Sequence, residues 1–178
     1  SKMLLFSSLL SKTGMAIVNM EDEKVYEGVL QECKKQKIEF YSAGINRGDL
    51  KITNYKADVK SIQFDCNFFK GGVLNLTGAF QLFNVMLCVL LLVKSGFKPE
   101  NIKNILPQLK APKGRMEHIK NNIFIDYAHT PDSLLKALET LNTLKNKGKL
   151  IVLFGCGGER DKTKRPQMAE IASKYADF

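Results

Sequence analysis

Six charged side chains stand within seven residues, Glu159 to Arg165, straight after the glycine turn of "GCGGERDKTKRP" (residues 155–166). The apolar run "LIVLF" leads into that turn. In open α/β sheets, ligands bind beyond the carboxyl ends of the strands. Gly155, Gly157 and Gly158 alone suit a tight turn, and their spacing is not the GxGxxG of a dinucleotide fingerprint. A plain turn does not need Arg160, Lys162, Lys164 and Arg165 set around Glu159 and Asp161. A site for carboxylate or phosphate groups does, because an arginine fork grips such groups bidentately.

Three more stretches carry candidate chemistry. "DYAHTPD" (Asp126–Asp132) also leads from a strand into a helix, and a helix N-terminus attracts anions. Asp126 could accept hydrogen bonds from ribose hydroxyls, and His129 could reach a phosphate. A DxxH spacing taken alone favours a plainer account, in which Asp132 complements the helix dipole and His129 is a surface residue. "GRME" puts Arg115 at a suspected domain junction, a favoured place for ligand sites, although a solvated linker arginine fits equally well. "TGAFQLFN" sets Asn84 in an otherwise apolar helix start, where its amide could pair with a base edge such as adenine or serve as a cap.

Composition narrows the classes. The 178 residues are 44% hydrophobic and 25% charged, an ordinary globular mix, with a net charge of +9. The lysines are scattered, with no basic stripe interleaved with aromatics, so no nucleic-acid partner is expected. Cys33, Cys66, Cys88 and Cys156 have no CxxC spacing, and His118 and His129 do not join them at zinc spacing. Free thiols in a cytoplasmic setting follow. The longest unbroken apolar run, Val85–Val93, is far short of the roughly 20 residues that cross a bilayer. It reads as a buried helix, and no membrane partner is expected.

The elements that must position these residues read as α/β. "SKMLLFSSLLSKTG" is a helix closed by Gly14, "MAIVN" a strand, "EDEKVYEGVLQECKKQ" an amphipathic helix and "IEFYSAG" a second strand, an order that implies parallel pairing. Residues 50–77 lack helical period and read as short antiparallel strands. "TGAFQLFNVMLCVLLLVKSG" is a helix ended by Gly96, and "KPENIKNILPQL" a short one with Pro99 in its first turn. The polar stretch Lys110–His118 is the candidate linker, dividing residues 1–111 from 112–178. Beyond it "NIFIDYAH" and "KLIVLF" read as strands. "TPDSLLKALETLNTLKNKG" is a helix capped by Thr130 with Pro131 at N1, and "RPQMAEIASKYADF" opens another.

Taken together, "GAFQLFN", "GRMEH", "IDYAHTPDSL" and "FGCGGERDKTKRPQM" resemble the Mur ligases in order and spacing, and among them the members that add the third residue of the peptidoglycan stem peptide. "SKMLLFSSLL" and "MAIVNMEDE" extend the resemblance over nearly the whole chain. It implies part of a central ATPase domain followed by the start of a Rossmann-like C-terminal domain, and an ATP- and Mg2+-dependent amide ligase acting through an acyl phosphate. Lys2 matches the lysine that is carbamylated to help hold magnesium. Asn84 matches the adenine contact, Arg115 the arginine reaching the ATP phosphates, and Asp126 the ribose contact, with His129 facing the nucleotide. Arg160, with Arg165 as second choice, would bind the carboxylate of the incoming amino acid. The implied partners are UDP-N-acetylmuramoyl dipeptide and meso-diaminopimelate, the latter because the diaminopimelate enzymes resemble "GCGGERDKTKRPQM" most fully.

The sequence has no GxxxxGK[ST] phosphate loop and no DNPR motif, so the resemblance implies a piece of a longer enzyme that does not turn over alone. Two alternatives stand beside it. One is a folylpolyglutamate synthetase-like ligase, against which the GCGGERDKTKRP stretch argues. The other is a non-catalytic nucleotide-binding module.

Overall fold

The computed structural model describes residues 14–145, 147–157 and 161–178. The helix expected over Ser1–Gly14 lies outside them up to residue 13. The chain divides into two compact units. One comprises the residues up to Ala57 with Ser61–Leu109, and the other Lys110–Phe178 with Asp58–Lys60.

The first unit is a five-stranded sheet in the order β1 (Met15–Asn19), β2 (Glu39–Ile45), β3 (Leu50–Ala57), β4 (Ile62–Cys66), β5 (Gly72–Leu74). Helix α1 (Glu23–Gln36) carries the chain from β1 to the parallel β2. Asp22 starts it by accepting a hydrogen bond from the Val25 N–H, and Lys37 ends it in the left-handed conformation. Val29 and Cys33 on α1 pack with Ala16, Val18 and Ile38 in a buried cluster. Burial pushes the Cys33 and Cys66 thiols up from their ordinary pKa, so neither is primed as a thiolate. All four cysteines are free.

The expectation of antiparallel strands over 50–77 holds for β3, β4 and β5, but β3 also pairs parallel with β2 at three positions. Parallel neighbours usually need a crossover of a dozen residues. Here four suffice, because Asn46 (φ 55) and Gly48 (φ 90) turn the chain back on itself. Asp49 pins the return. Its carboxylate accepts from both the Ser42 N–H (2.8 Å) and the Ser42 hydroxyl (3.2 Å), and its own N–H donates to the Ser42 carbonyl. Helix α2 (Ala79–Lys94) packs on β1, β2 and β3 and buries Leu82, Met86, Val89 and Leu90, one stripe of a 3.6-residue period. A short helix, α3 (Pro99–Ile105), and one 3-10 turn complete the unit.

The second unit opens with a two-residue hairpin, β6 (Glu117–His118) on β7 (Phe124–Ile125), so the expected linker ends inside a strand. Helices α4 (Pro131–Leu144) and α5 (Lys164–Tyr175) follow. Leu134 and Leu138 of α4 meet Met168 of α5 in a core that also takes Ala128, Leu150, Val152, Phe154 and Cys156. The strands expected at "NIFIDYAH" and "KLIVLF" are reduced to Phe124–Ile125 and to none. Residues 150–157 alternate in burial, and among the described residues their backbone bonds run to the chain end, from the Val152 N–H to the Phe178 carbonyl and from the Asp177 N–H to the Leu150 carbonyl. A strand needs a ladder; the first segment has one of only two pairs, and residues 150–157 alternate in burial with none among the described residues.

Candidate functional site

The second unit gathers its polar residues where the extended segments give way to helices. From 123 to 129 burial alternates. Phe124, Asp126 and Ala128 are half-buried, while Ile123, Ile125, Tyr127 and His129 are exposed. That period of two sets Asp126 and His129 on opposite sides of one segment.

Asp126 is tied to the GRME turn. Its Oδ2 accepts the Met116 N–H at 2.7 Å, and the Tyr127 N–H donates to the Gly114 carbonyl at 2.7 Å. Glu117 Oε2 accepts the Gly114 N–H at 2.8 Å. Met116 is buried with φ 48, a conformation that costs a side-chain-bearing residue free energy and persists only where its surroundings impose it. Arg115, between these anchored neighbours, is exposed, with its guanidinium carbon 5.3 Å from the centre of the Tyr127 ring.

His129 ends the segment. Its Nδ1 donates to the Tyr127 carbonyl at 3.1 Å, since a carbonyl can only accept, and its ring lies 5.1 Å from that of Tyr127. The next residue caps α4. Thr130 Oγ1 accepts the Ser133 N–H and Ser133 Oγ accepts the Thr130 N–H, a closed capping box with Pro131 at N1.

The first turn of α5 is fastened to the same place. Lys164 Nζ donates to the His129 carbonyl at 3.0 Å, and the Arg165 guanidinium to the Gly157 carbonyl at 3.4 Å. Asp161 Oδ1 accepts from the Thr163 hydroxyl (2.5 Å) and N–H (3.0 Å), and these bonds hold its carboxyl below the ordinary pKa. Neither Gly155 nor Gly157 has positive φ, and a Cβ at either would meet no described atom within 4 Å.

Of the sequence-derived candidates, Arg115, Asp126, His129 and Arg165 all lie on this unit, and the hydrogen bonds above link their loops. Asn84 is exposed on α2 of the first unit. Lys2 and Arg160 lie outside the described residues. Sequence reasoning assigned no role to Tyr127 or Glu117 and read Lys164 only as one charge among several. Tyr127 had a readable signal, its two-residue offset from His129 on one face. Lys164 had none, because its partner is 35 residues away. Among the described residues no cluster of three His, Cys, Asp or Glu side chains stands together as a metal site, and no helix is long and apolar enough to cross a membrane.

Comparison with known proteins places this architecture. The Mur ligase middle domain matches residues 1–92, and the Mur ligase glutamate ligase domain matches residues 114–178. The chain belongs to the Mur ligase family, and its mixed α/β fold is the family's. It is 41% identical over 183 residues to the UDP-N-acetylmuramoyl-L-alanyl-D-glutamate--2,6-diaminopimelate ligase of Rickettsia typhi, covering 99% of this chain and 37% of that one. A solved structure of a ligase of that name superposes with TM-score 0.65 at 25% identity, covering 98% of this chain and 37% of the other. MurF from Acinetobacter baumannii shares the fold, with TM-score 0.79 at 23% identity over 99% of this chain and 39% of its own. The chain thus spans well under half the length of the relatives it matches.

Proposed function

We propose that this chain is the part of an ATP-dependent amide ligase that couples meso-diaminopimelate to UDP-N-acetylmuramoyl-L-alanyl-D-glutamate. The observation that carries the reading is the 41% identity over 99% of the chain to a ligase so named. The local geometry supports it, since Lys164, at the start of α5, ties the end of the GCGGERDKTKRP stretch to the DYAHTPD segment. In this reading residues up to 111 belong to the central ATP-binding domain and 112–178 to the C-terminal domain, in the cytoplasm.

The chemistry is transfer of the terminal ATP phosphoryl group to the D-glutamyl carboxylate, with loss of ADP. The amine of the third amino acid then attacks that carbonyl, and phosphate leaves as the amide forms. Asn84 reads adenine, Asp126 and His129 face the ribose and phosphates, and Arg115 offsets charge on the phosphoryl oxygens. For Asp126 this means sharing its carboxylate between the ribose and the Met116 N–H. Arg160 and Arg165 bind the carboxylate of the amino acid. Magnesium, when bound, neutralises phosphate charge, and Lys2 as a carbamate is the residue that would hold it. Diaminopimelate carries one carboxylate more than lysine. A site built to bind that group rejects the analogue lacking it by large factors, on the order of 10⁴.

The test is competition in a full-length protein carrying these residues, with ATP, the UDP-linked dipeptide and equal concentrations of meso-diaminopimelate and L-lysine. Mass spectrometry of the tripeptide product should show diaminopimelate. Lysine incorporation overturns the choice of amino acid, and no tripeptide from either overturns the ligase reading. The folylpolyglutamate alternative would instead show glutamate added to a folate.

A further inference from the structure

We propose that Lys164 is a positioning residue, whose ammonium sets the main chain at His129 where the DYAHTPD segment enters α4; its effect on nucleotide binding rests on the ligase reading above.

Local physics does not account for a lysine here. Lys164 opens α5, and Arg165 follows it. The N–H groups at a helix start carry partial positive charge, so acidic residues suit that end and cations oppose it. The first turn of α5 holds no acidic residue, and the side chain of its N-cap, Thr163, makes no capping bond. The Thr163 hydroxyl and N–H both donate to Asp161 instead, which lies outside the helix. A residue that works against its own helix points to a contact at longer range that compensates. Lys164 has one. It is half-buried, while Asp161, Lys162, Thr163 and Arg165 around it are exposed. Its Nζ donates to the His129 carbonyl at 3.0 Å, across 35 residues of sequence.

The bond falls on one peptide group. His129 immediately precedes Thr130, the N-cap of α4. The N–H of the peptide between them donates to Ser133 Oγ at 3.0 Å, and its carbonyl accepts from Lys164 at 3.0 Å. Ser133 grips one edge from within α4, and Lys164 grips the other from α5. A peptide group is planar, so holding both edges fixes its tilt, and with it the direction in which the His129 side chain leaves the chain. The ring is then set locally. Its Nδ1 donates to the Tyr127 carbonyl at 3.1 Å, so His129 meets a ligand through Nε2. Without the Lys164 donor the plane can tilt about the Ser133 bond, and Nε2 moves with it.

The experiment uses a full-length protein carrying these residues, with Lys164→Met, Lys164→Arg, His129→Ala and the Lys164→Met/His129→Ala double variant. Methionine keeps an unbranched stem and loses the donor, whereas arginine keeps a cationic donor. Loss of one charge-assisted bond at a half-exposed site should raise the KM for ATP about two- to tenfold in Lys164→Met, with the KM for the amino acid unchanged. A tie that served stability alone would not separate the two KM values. Lys164→Arg should recover most of the loss, and Lys164→Met should add little once His129 is alanine. A raised KM for the amino acid would mean that Lys164 binds its carboxylate directly, and overturns the proposal. So does a full additive loss in the double variant, or an equal defect in the Met and Arg variants. A second readout is independent of turnover. The His129 carbonyl carbon resonance reports the bond that this carbonyl accepts. It should move upfield in Lys164→Met and stay near the wild-type position in Lys164→Arg. If wild-type protein makes no product, the ligase reading fails, while this resonance still decides whether Lys164 holds the segment. An unmoved resonance in Lys164→Met refutes the contact.

Discussion

β1 in the first unit and residues 123–129 in the second carry the same pattern, burial alternating every second residue. They have different fates. β1 pairs with β2 at five positions, and α1 and α2 both pack against it. The second unit's segment pairs at two positions, and its companion 150–157 has no ladder among the described residues. Helices α4 and α5 meet their inner residues, while the outer ones stay open, with Ile125 48%, Ile151 71% and Leu153 99% exposed. A two-residue period is written by side-chain polarity. Strand structure also needs a neighbour at ladder distance, and a two-faced sheet needs a second cover.

The sharpest way to break this comparison is to shorten one leucine in each unit. Leu90 is fully buried on α2, so Leu90→Ala should cost about 2–5 kcal/mol, measured by denaturant unfolding. Leu153→Ala, at 99% exposure, should stay within about 0.5 kcal/mol. Equal costs would mean that the outer face of the second unit is covered in solution.

A smaller effect separates two glycines that both have positive φ. A Cβ at Gly48 would lie 2.8 Å from the Ser42 carbonyl oxygen, whereas one at Gly148 would meet nothing within 4 Å. Gly148→Ala should cost about 1–2 kcal/mol from backbone strain alone. Gly48→Ala should cost more, because the return into β3 must also open. Thermal denaturation ranks the two, and the reverse order would sink the argument that Gly48 is there for close approach.

The smallest effect is in pH. Bonds from Thr163 lower the Asp161 pKa in the folded protein, so the ionised carboxylate is the form the fold favours. Its contribution is complete above the ordinary carboxylate pKa of 3.8 and falls away as pH drops through the lowered value. The Thr163 amide resonance should therefore hold its position down to about pH 4 and move only below it. Movement centred above the ordinary value would contradict the hydrogen-bond assignment.

Helix α4 was readable because its causes are local. Thr130 and Pro131 start it, and Leu134 and Leu138, four residues apart, choose its buried face. The charge density of the loop was legible from composition, and Asp126, His129 and Arg115 as polar residues at element ends. What Asp126 does in the fold was not readable. Its partner is the backbone of Met116, ten residues back, and any carboxylate in any turn has the same letter in the sequence.

By itself the sequence determined the α/β order of the first unit's described elements, the Thr130 cap, the apolar helix faces and the family to which the chain belongs. These rest on contacts within a few residues, or on motifs carried intact along the chain. Tertiary structure alone decided that β3 returns beside β2 through Asp49 and Gly48, and that Lys164 meets His129. It alone decided that Arg115 lies against Tyr127. Each of those joins groups that local propensity leaves independent, and the free energy that selects such pairings exists only once the chain has closed on itself.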